Sequence, residues 1–185
     1  MQGGRNAFRL RLLLAGTLSP VYGIYSGYEL SENVPVRPGS EEYLDSEKYQ
    51  VRQRDFAAAG NLDADIRRLN RIRREQPALQ RQDNLRFHAS DNERVLVFGK
   101  RRPSAADRRG AERGDDLLIV VNLDPHGVQE TTVHVPVDEL GLGHDRDYIV
   151  EDLLTGMRYT WRGSRAYVRL DPIHEPGHVL RVVRD

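Results

Sequence analysis

The stretch DLLIVVNLDPHGVQETTVHVPV, residues 116–137, decides the fold class of this 185-residue chain. It contains two short runs rich in β-branched residues, DLLIVVNL and ETTVHVPV. Between them, Asp124-Pro125-His126-Gly127 combines residue types that favour tight turns. Short runs of this composition, bounded by turn residues, predict β-strands.

The same pattern extends over the second part of the chain, from Leu85 onward. Eight short, closely spaced strands are typical of an antiparallel β-sandwich or barrel, and we expect an all-β domain over residues 81–185. We expect the strands to bury their apolar residues against each other, and so to fold without the rest of the chain. The charged interval from Arg101 to Asp115 has no periodicity and predicts a loop that lengthens one hairpin. The predicted strands are LRFHAS (85–90), RVLVFGK (94–100), DLLIVVNL (116–123), ETTVHVPV (130–137), DYIVEDLL (147–154), MRYTWRG (157–163), AYVRLD (166–171) and HVLRVVR (178–184).

Residues 61–79, NLDADIRRLNRIRREQPAL, predict an amphipathic helix. Asn61 or Asp63 can cap its start, and Pro77 ends it. Arg73 lies in the middle of the apolar face, and two explanations are open. Its head group either reaches solvent along the helix surface or is buried and paired with a carboxylate. The apolar face is formed by Leu62, Ile66, Leu69 and Ile72.

The preceding segments predict a helix and a strand. AFRLRLLLAGTL (7–18) fits either period, and its Leu, Arg and Ala content favours a helix. VYGIY (21–25) is short and rich in β-formers, which predicts a buried strand. One strand between two helices cannot form a covered parallel sheet, because both faces of such a strand must be buried. We therefore expect residues 1–80 to be the last βα portion of a larger (β/α)8 barrel that is incomplete in this chain.

Composition excludes several classes of protein. Twenty-eight basic residues balance 28 acidic ones, so no global field favours nucleic acid or a membrane surface as partner. The chain has no cysteine, which excludes a disulfide framework and thiolate metal sites. No apolar run approaches the roughly 18 residues that suggest a membrane-spanning helix. We expect a soluble, cytoplasmic protein with no metal and no cofactor.

Residues 3–56, GGRNAFRLRLLLAGTLSPVYGIYSGYELSENVPVRPGSEEYLDSEKYQVRQRDF, followed by the helix segment 61–79, carry a resemblance. They are similar to the bacterial α-1,4-glucan:maltose-1-phosphate maltosyltransferases of glycoside hydrolase family 13, the α-amylase clan. In that comparison YGIYSGYEL resembles the end of the eighth barrel strand. The segment 61–76 resembles the last barrel helix, and residues 85–184 resemble the all-β domain that closes these enzymes.

The resemblance implies transfer of maltosyl units from maltose 1-phosphate to the non-reducing end of α-1,4-glucans, in glycogen-like α-glucan synthesis. Family 13 enzymes use a retaining mechanism with an aspartate nucleophile, a glutamate acid/base and a second aspartate. By the same resemblance, all three positions precede Met1. We therefore expect no catalytic residue in this chain, no activity of the chain alone, and a homodimer for the intact enzyme.

The resemblance also assigns Lys48 and Tyr49 as substrate-binding residues of the donor site. Lys48 is one of only two lysines in the chain. Its compact ammonium offers rotatable donors to splayed sugar hydroxyls, and Tyr49 offers a ring to a sugar face. The segment follows the predicted eighth strand, on the side where barrel enzymes build active sites. The open alternative is that Lys48 merely pairs with Asp45 or Glu47 on a solvated turn.

Other candidates are weaker. A stand-alone β-sandwich with a structural or carbohydrate-binding role and no activity is the alternative function. His174 and His178 are four residues apart, but Pro176 and Gly177 disfavour the helix that a metal pair needs. We expect Trp161 to pack in the β-domain core rather than to bind sugar. An unrelated acid/base pair could come from the acidic cluster Glu29, Glu32, Glu41, Glu42, Asp45 and Glu47.

Overall fold

The computed structural model describes residues 3–40, 42–44, 51–102 and 115–183. Its elements in chain order are α1 (Gly4–Leu18), α2 (Asp63–Glu75), β1 (Leu85–His88), β2 (Val95–Arg102), β3 (Asp115–Asn122), β4 (Gln129–His134), β5 (Asp147–Asp152), β6 (Arg158–Arg162), β7 (Arg165–Leu170) and β8 (Gly177–Val183). Short 3-10 helices cover Tyr28–Leu30 and Pro77–Gln80. All eight predicted strands are confirmed, and so are both helices.

The strands form two antiparallel sheets. One has six strands in the order β1-β2-β3-β8-β5-β6, and the other consists of β4 and β7. The turn at residues 124–127 therefore takes the chain from one sheet to the other. The predicted mainly β, antiparallel sandwich is confirmed, with Val97, Val120, Val133 and Val168 in the core between the sheets.

The other face of the six-stranded sheet is covered by helices. Leu13 of α1 and Leu69 of α2 pack with Phe98, Ile119 and Val179 in a second buried cluster. Coverage of both faces explains why β3 reads as an unbroken apolar run, whereas β4 and β7, with one outward face, alternate. The expectation that the strands bury their apolar residues against each other is confirmed between the two sheets. The sequence did not predict that the helices of residues 1–80 cover the other face of the six-stranded sheet.

The connection between β2 and β3 is a hairpin, as predicted. Pairing of the two strands continues to Arg102 opposite Asp115. Arg101 and Arg102 thus belong to β2 rather than to the loop. The remainder of the predicted loop, residues 103–114, lies outside the described residues.

The predicted strand VYGIY is wrong for this chain. Residues 21–25 are not part of a sheet, and Val21 is 80% exposed. A strand requires a neighbouring strand to satisfy its backbone groups. Within the described ranges, no segment lies beside residues 21–25 as a partner strand.

Arg73 satisfies neither explanation that the sequence left open. Its guanidinium donates to the carbonyls of Gly16, Ser19 (3.1 Å) and Pro20 (2.7 Å), at the end of α1. It also lies 4.9 Å from the ring centroid of Tyr22. Burial lowers the pKa of Arg73, and the interaction with Tyr22 partly opposes this effect. The Gly16 carbonyl is in the last turn of α1, where a helix end leaves carbonyls without intrahelical donors, and those of Ser19 and Pro20 directly follow the helix.

The start of α2 follows the prediction in part. The Asn61 side chain accepts a hydrogen bond of 3.1 Å from the Asp63 backbone N–H, so Asn61 is the residue that supports the helix start. The helix ends at Glu75, just before Pro77. No described helix has both the length and the apolar character needed to cross a membrane.

Candidate substrate-binding loop

The segment between α1 and α2 is held against α1 by Tyr28. The Tyr28 hydroxyl donates to the Phe8 carbonyl at 2.6 Å, and the two rings meet edge to face with centroids 4.9 Å apart. Desolvation raises the pKa of Tyr28 to about 12, so the hydroxyl remains a donor at neutral pH. The first part of the loop is therefore fixed to the helix by both packing and a hydrogen bond.

A tight turn around Gly27 joins the same region to α2. The Gly27 N–H donates to the Glu29 carboxylate at 3.0 Å, and the Glu29 carbonyl accepts from the Leu62 N–H at 2.7 Å. Gly27 has a φ of 93°, and a Cβ at this position would overlap the Glu32 carboxylate. Both facts favour glycine. Other residues rarely adopt this φ, and the Cβ of any other residue would occupy the space of the Glu32 carboxylate.

Glu32 closes the loop by pairing with two arginines that follow it by 20 and 22 residues. Its carboxylate lies 3.2 Å from Arg54 Nε and 3.4 Å from Arg52 Nη2. The Arg54 side chain is only 3% exposed. A buried guanidinium needs an anionic or hydrogen-bonding partner. The pairing therefore fixes the two ends of the segment between residues 33 and 51 close to each other.

A short hairpin follows Glu32 and pairs residues 34–36 with residues 42–44. Pro35 pairs with Tyr43 in an antiparallel bridge, and the Leu44 N–H donates to the Val34 carbonyl at 2.8 Å. The Val36 N–H donates to the Glu42 carbonyl at 2.8 Å. This hairpin places Tyr43 and Leu44 beside Glu32 and leads into residues 45–50.

Two cavities flank the Glu32 closure. The larger, of about 260 Å³, is bordered by the Glu32–Arg54 pair and by residues 58–61. The smaller, of about 100 Å³, is lined by Glu32, Asn33, Val34, Tyr43, Leu44 and Arg52. The guanidinium of Arg52 and the amide of Asn33 can donate to hydroxyl or phosphoryl oxygens, and the Glu32 carboxylate can accept from hydroxyl groups. Tyr43 adds an aromatic ring.

Lys48 and Tyr49, the predicted substrate-binding residues, lie outside the described residues. So do Glu41, Asp45 and Glu47 of the acidic cluster. Glu29, Glu32 and Glu42 are described. Glu29 and Glu32 hold the loop through their carboxylates, and the Glu42 carbonyl accepts from the Val36 N–H in the hairpin. The Glu32–Arg54 closure was not predicted, because an ion pair between residues 22 positions apart leaves no periodic signal in a sequence.

The remaining sequence candidates have structural roles. His178 is buried with its Nδ1 3.2 Å from Asp152 Oδ2. His174 is exposed, and its carbonyl accepts from Arg9 at 3.0 Å. In the described part of the chain, no three His, Cys, Asp or Glu residues form a group suited to a metal ion. Trp161 packs against the inter-sheet core with its ring centroid 6.4 Å from that of Tyr148, which confirms its structural prediction.

The architecture of the chain is similar to that of known α-amylases. It superposes on a maltogenic α-amylase, AmyB from Thermotoga neapolitana, with a TM-score of 0.61 and 15% identity, over 97% of this chain and 37% of that one. It superposes on the α-amylase of Geobacillus thermoleovorans, complexed with acarbose, with a TM-score of 0.62 and 16% identity, over 98% and 34%. These similarities establish an α-amylase-type fold.

The family follows from sequence. The model of the family described as "GLGE, C-terminal" matches residues 87–182, and the chain belongs to this family. It is 50% identical, over 98% of its length, to α-1,4-glucan:maltose-1-phosphate maltosyltransferase 2 of Streptomyces coelicolor, and 44% identical, over 99%, to the Pseudomonas aeruginosa enzyme of that name. The chain spans 26% of each relative. The resemblance noted in the sequence is confirmed.

Proposed function

We propose that this chain is part of an enzyme that transfers maltosyl units from maltose 1-phosphate to the non-reducing end of α-1,4-glucans, with retention of configuration. The observation that carries the proposal is 50% identity over 98% of the chain to a maltosyltransferase. Because this identity includes the loop of residues 19–60 as well as the strands, a stand-alone β-module is not favoured.

We propose two domains: residues 1–80 form the end of a (β/α)8 barrel, and residues 81–185 form an all-β domain. Exposed apolar side chains in the first part, including Val21, Tyr25 and Phe56, support this proposal. Exposed apolar patches mark surfaces at which another surface packs. Residues 21–25, which lack a neighbouring strand here, gain one when the remaining barrel strands are present.

Lys48 and Tyr49 are proposed to bind the donor. Lys48 is four residues from both Leu44 and Arg52 in the sequence, and four residues of extended chain span about 14 Å at most. This short connection supports a donor site at the smaller cavity. Arg52 and Glu32 in the lining of this cavity balance each other, and Lys48 is proposed to supply a net positive charge. A net positive charge suits the phosphoryl group of the donor, and the Tyr49 ring suits a sugar face.

The catalytic carboxylates are proposed to come from parts of the enzyme that this chain does not match. The reaction then needs an aspartate nucleophile, a glutamate acid/base and a stabilising aspartate, with no metal or cofactor step. In this proposal the chain positions the donor, the enzyme is cytoplasmic, and two copies form a homodimer.

A chimera tests the proposal. The matching stretch of the Streptomyces coelicolor relative is replaced by this chain, and phosphate release from maltose 1-phosphate with maltohexaose as acceptor is measured. We expect turnover by the chimera and none by the chain alone. A chimera that folds and remains inactive beside an active parent contradicts the proposed function. Phosphate release by the chain alone contradicts the assignment of the carboxylates to other parts of the enzyme.

A further inference from the structure

The outer face of the β4–β7 sheet presents an aromatic side chain to solvent. Inward-facing Val133, Ala166 and Val168 are buried in the inter-sheet core, so the alternate residues of both strands point outward. Tyr167 is in the middle of this outer face, 61% exposed and directly opposite Thr132. The buried inner face keeps this outer face in a fixed orientation.

An ordered set of ion pairs lies on one side of Tyr167. Asp91 Oδ2 is 2.6 Å from Arg165 Nη2, and Asp91 Oδ1 is 2.7 Å from His134 Nε2. Arg165 Nη1 is 3.2 Å from the same His134 nitrogen. Asp91 belongs to the segment next to β4, where its N–H donates to the Thr132 carbonyl at 3.1 Å. These three side chains therefore connect the segment that contains Asp91 with β4 and β7.

A second ion pair lies on the other side of the ring. Arg169 Nε is 3.3 Å from Glu130 Oε1. Desolvation and the charge of Glu130 raise the pKa of the Tyr167 hydroxyl, which therefore stays protonated at neutral pH. The ring thus lies between two groups that each contain both donors and acceptors.

The chemistry of this face points to a neutral, hydroxyl-rich ligand. Arg165 and Arg169 are balanced by Asp91 and Glu130, so the face offers no net attraction to a polyanion such as nucleic acid. An aromatic ring packs against the C–H face of a pyranose, and the surrounding donors and acceptors suit its hydroxyl groups. We propose that the outer β4–β7 face is a second binding site for α-1,4-glucan, separate from the donor loop.

The spacing of the polar groups fits a chain of sugars rather than a single one. Arg165 and Arg169 are each two residues from Tyr167, which corresponds to about 7 Å along a strand. A glucose unit stacked on Tyr167 therefore places the hydroxyls of its neighbours within reach of both ion pairs. Phe87 is similarly exposed, at 63%, but its ring packs edge to face with Phe98, with centroids 6.1 Å apart.

The choice of an α-glucan rests on the proposed function, in which this polymer is the acceptor. A second attachment point keeps a long acceptor near the enzyme and raises its effective concentration at the active site. Short acceptors, which cannot span the two sites, gain nothing from it. The expected signature is therefore a dependence on polymer length.

Binding is measured on the Lys48→Ala chain, so that the proposed donor residue does not contribute. Native electrophoresis in gels with and without glycogen gives the dissociation constant, and cellohexaose is the control sugar in a parallel titration with maltoheptaose. We expect Tyr167→Ala to weaken glycogen and maltoheptaose binding about tenfold. Tyr167→Phe keeps the ring and should retain most of the binding. Phe87→Ala, the matched exposed aromatic, should bind as the parent does.

Absence of glycogen retardation in the parent chain overturns the inference, and so does equal binding by Tyr167→Ala and the parent. Turnover of maltohexaose by the chimera is measured separately and should not change in Tyr167→Ala. An inactive chimera together with glycogen binding that depends on Tyr167 would reject the proposed function and leave the glucan site supported. An active chimera without glycogen binding that depends on Tyr167 would support the proposed function and reject the glucan site.

Discussion

The buried Asp152 carboxylate gives the sharpest stability prediction. Asp152 ends β5 and is fully buried. Its Oδ1 accepts from the N–H groups of Leu154 and Val179, both at 3.1 Å. Its Oδ2 accepts from Thr155 Oγ1 at 2.8 Å and lies 3.2 Å from His178 Nδ1. Burial alone would raise the pKa of Asp152, but the interactions with His178, Thr155 and Leu154 outweigh it, and the pKa lies below its usual value.

Replacement of Asp152 by alanine leaves these buried groups without their acceptor. One lost charge-assisted hydrogen bond costs about 1.5–3 kcal/mol, and removal of one partner of a buried pair costs about 3–5 kcal/mol in total. We expect a loss of about 3–5 kcal/mol in the free energy of unfolding. For a chain of this length, that corresponds to a melting temperature about 6–20 °C lower. Asp152→Asn keeps one acceptor oxygen and should lose less.

The control is an exposed pair of the same chemistry. Asp138 is 83% exposed and lies 2.8 Å from His144. Asp138→Ala should cost less than about 1 kcal/mol. Thermal unfolding followed by circular dichroism at pH 7 compares the variants. Equal losses for Asp152→Ala and Asp138→Ala would refute the reasoning.

The pH dependence of the Asp152 contribution has a defined sign. The folded pKa is below that of the unfolded chain, about 3.9 for aspartate. The stabilisation is therefore fully present above the unfolded pKa and is lost as the pH falls through the folded pKa. The difference in stability between wild type and Asp152→Ala should shrink below about pH 4. A difference that grows on acidification contradicts this assignment.

Two further predictions concern packing. A Cβ on Gly177 would lie 2.5 Å from the Val120 carbonyl oxygen, so Gly177→Ala should cost about 1–3 kcal/mol in chemical denaturation. Gly23→Ala, with nothing within 4 Å of its Cβ, should stay within about 0.5 kcal/mol. A chain that begins at Leu85 exposes the sheet face that α1 and α2 cover, and should bind more hydrophobic dye than the full chain. Equal dye binding would show that the helices do not protect that face.

The strands were predictable because their signals are local. Each lies between turn residues, and its apolar residues show which faces are buried. The unbroken apolar run of β3 agrees with the burial of both its faces in the structure, but a sequence does not state what covers the second face. That cover turned out to be α1 and α2, which the sequence assigned to a different domain.

The errors share a physical cause, which is dependence on a distant partner. VYGIY has strand composition, but backbone pairing needs a neighbouring strand, and composition does not supply one. The partners of Arg73 are the carbonyls of Gly16, Ser19 and Pro20, and backbone carbonyls are the same for every residue type. The Glu32–Arg54 closure joins positions 22 residues apart, and among many carboxylates and arginines no local pattern selects that pair.

The most direct test of the central claim is the steady-state kinetics of the chimera with Lys48 replaced. If the Lys48 ammonium binds the donor, Lys48→Ala removes a charge-assisted hydrogen bond worth about 1.5–3 kcal/mol. The value of kcat/KM for maltose 1-phosphate should then fall roughly 10- to 150-fold, with the melting temperature unchanged. Lys48→Arg should rescue little, because a planar guanidinium does not fit a site shaped around an ammonium. A wild-type kcat/KM for Lys48→Ala would contradict the donor-site role and leave Lys48 as a surface partner of Asp45 or Glu47.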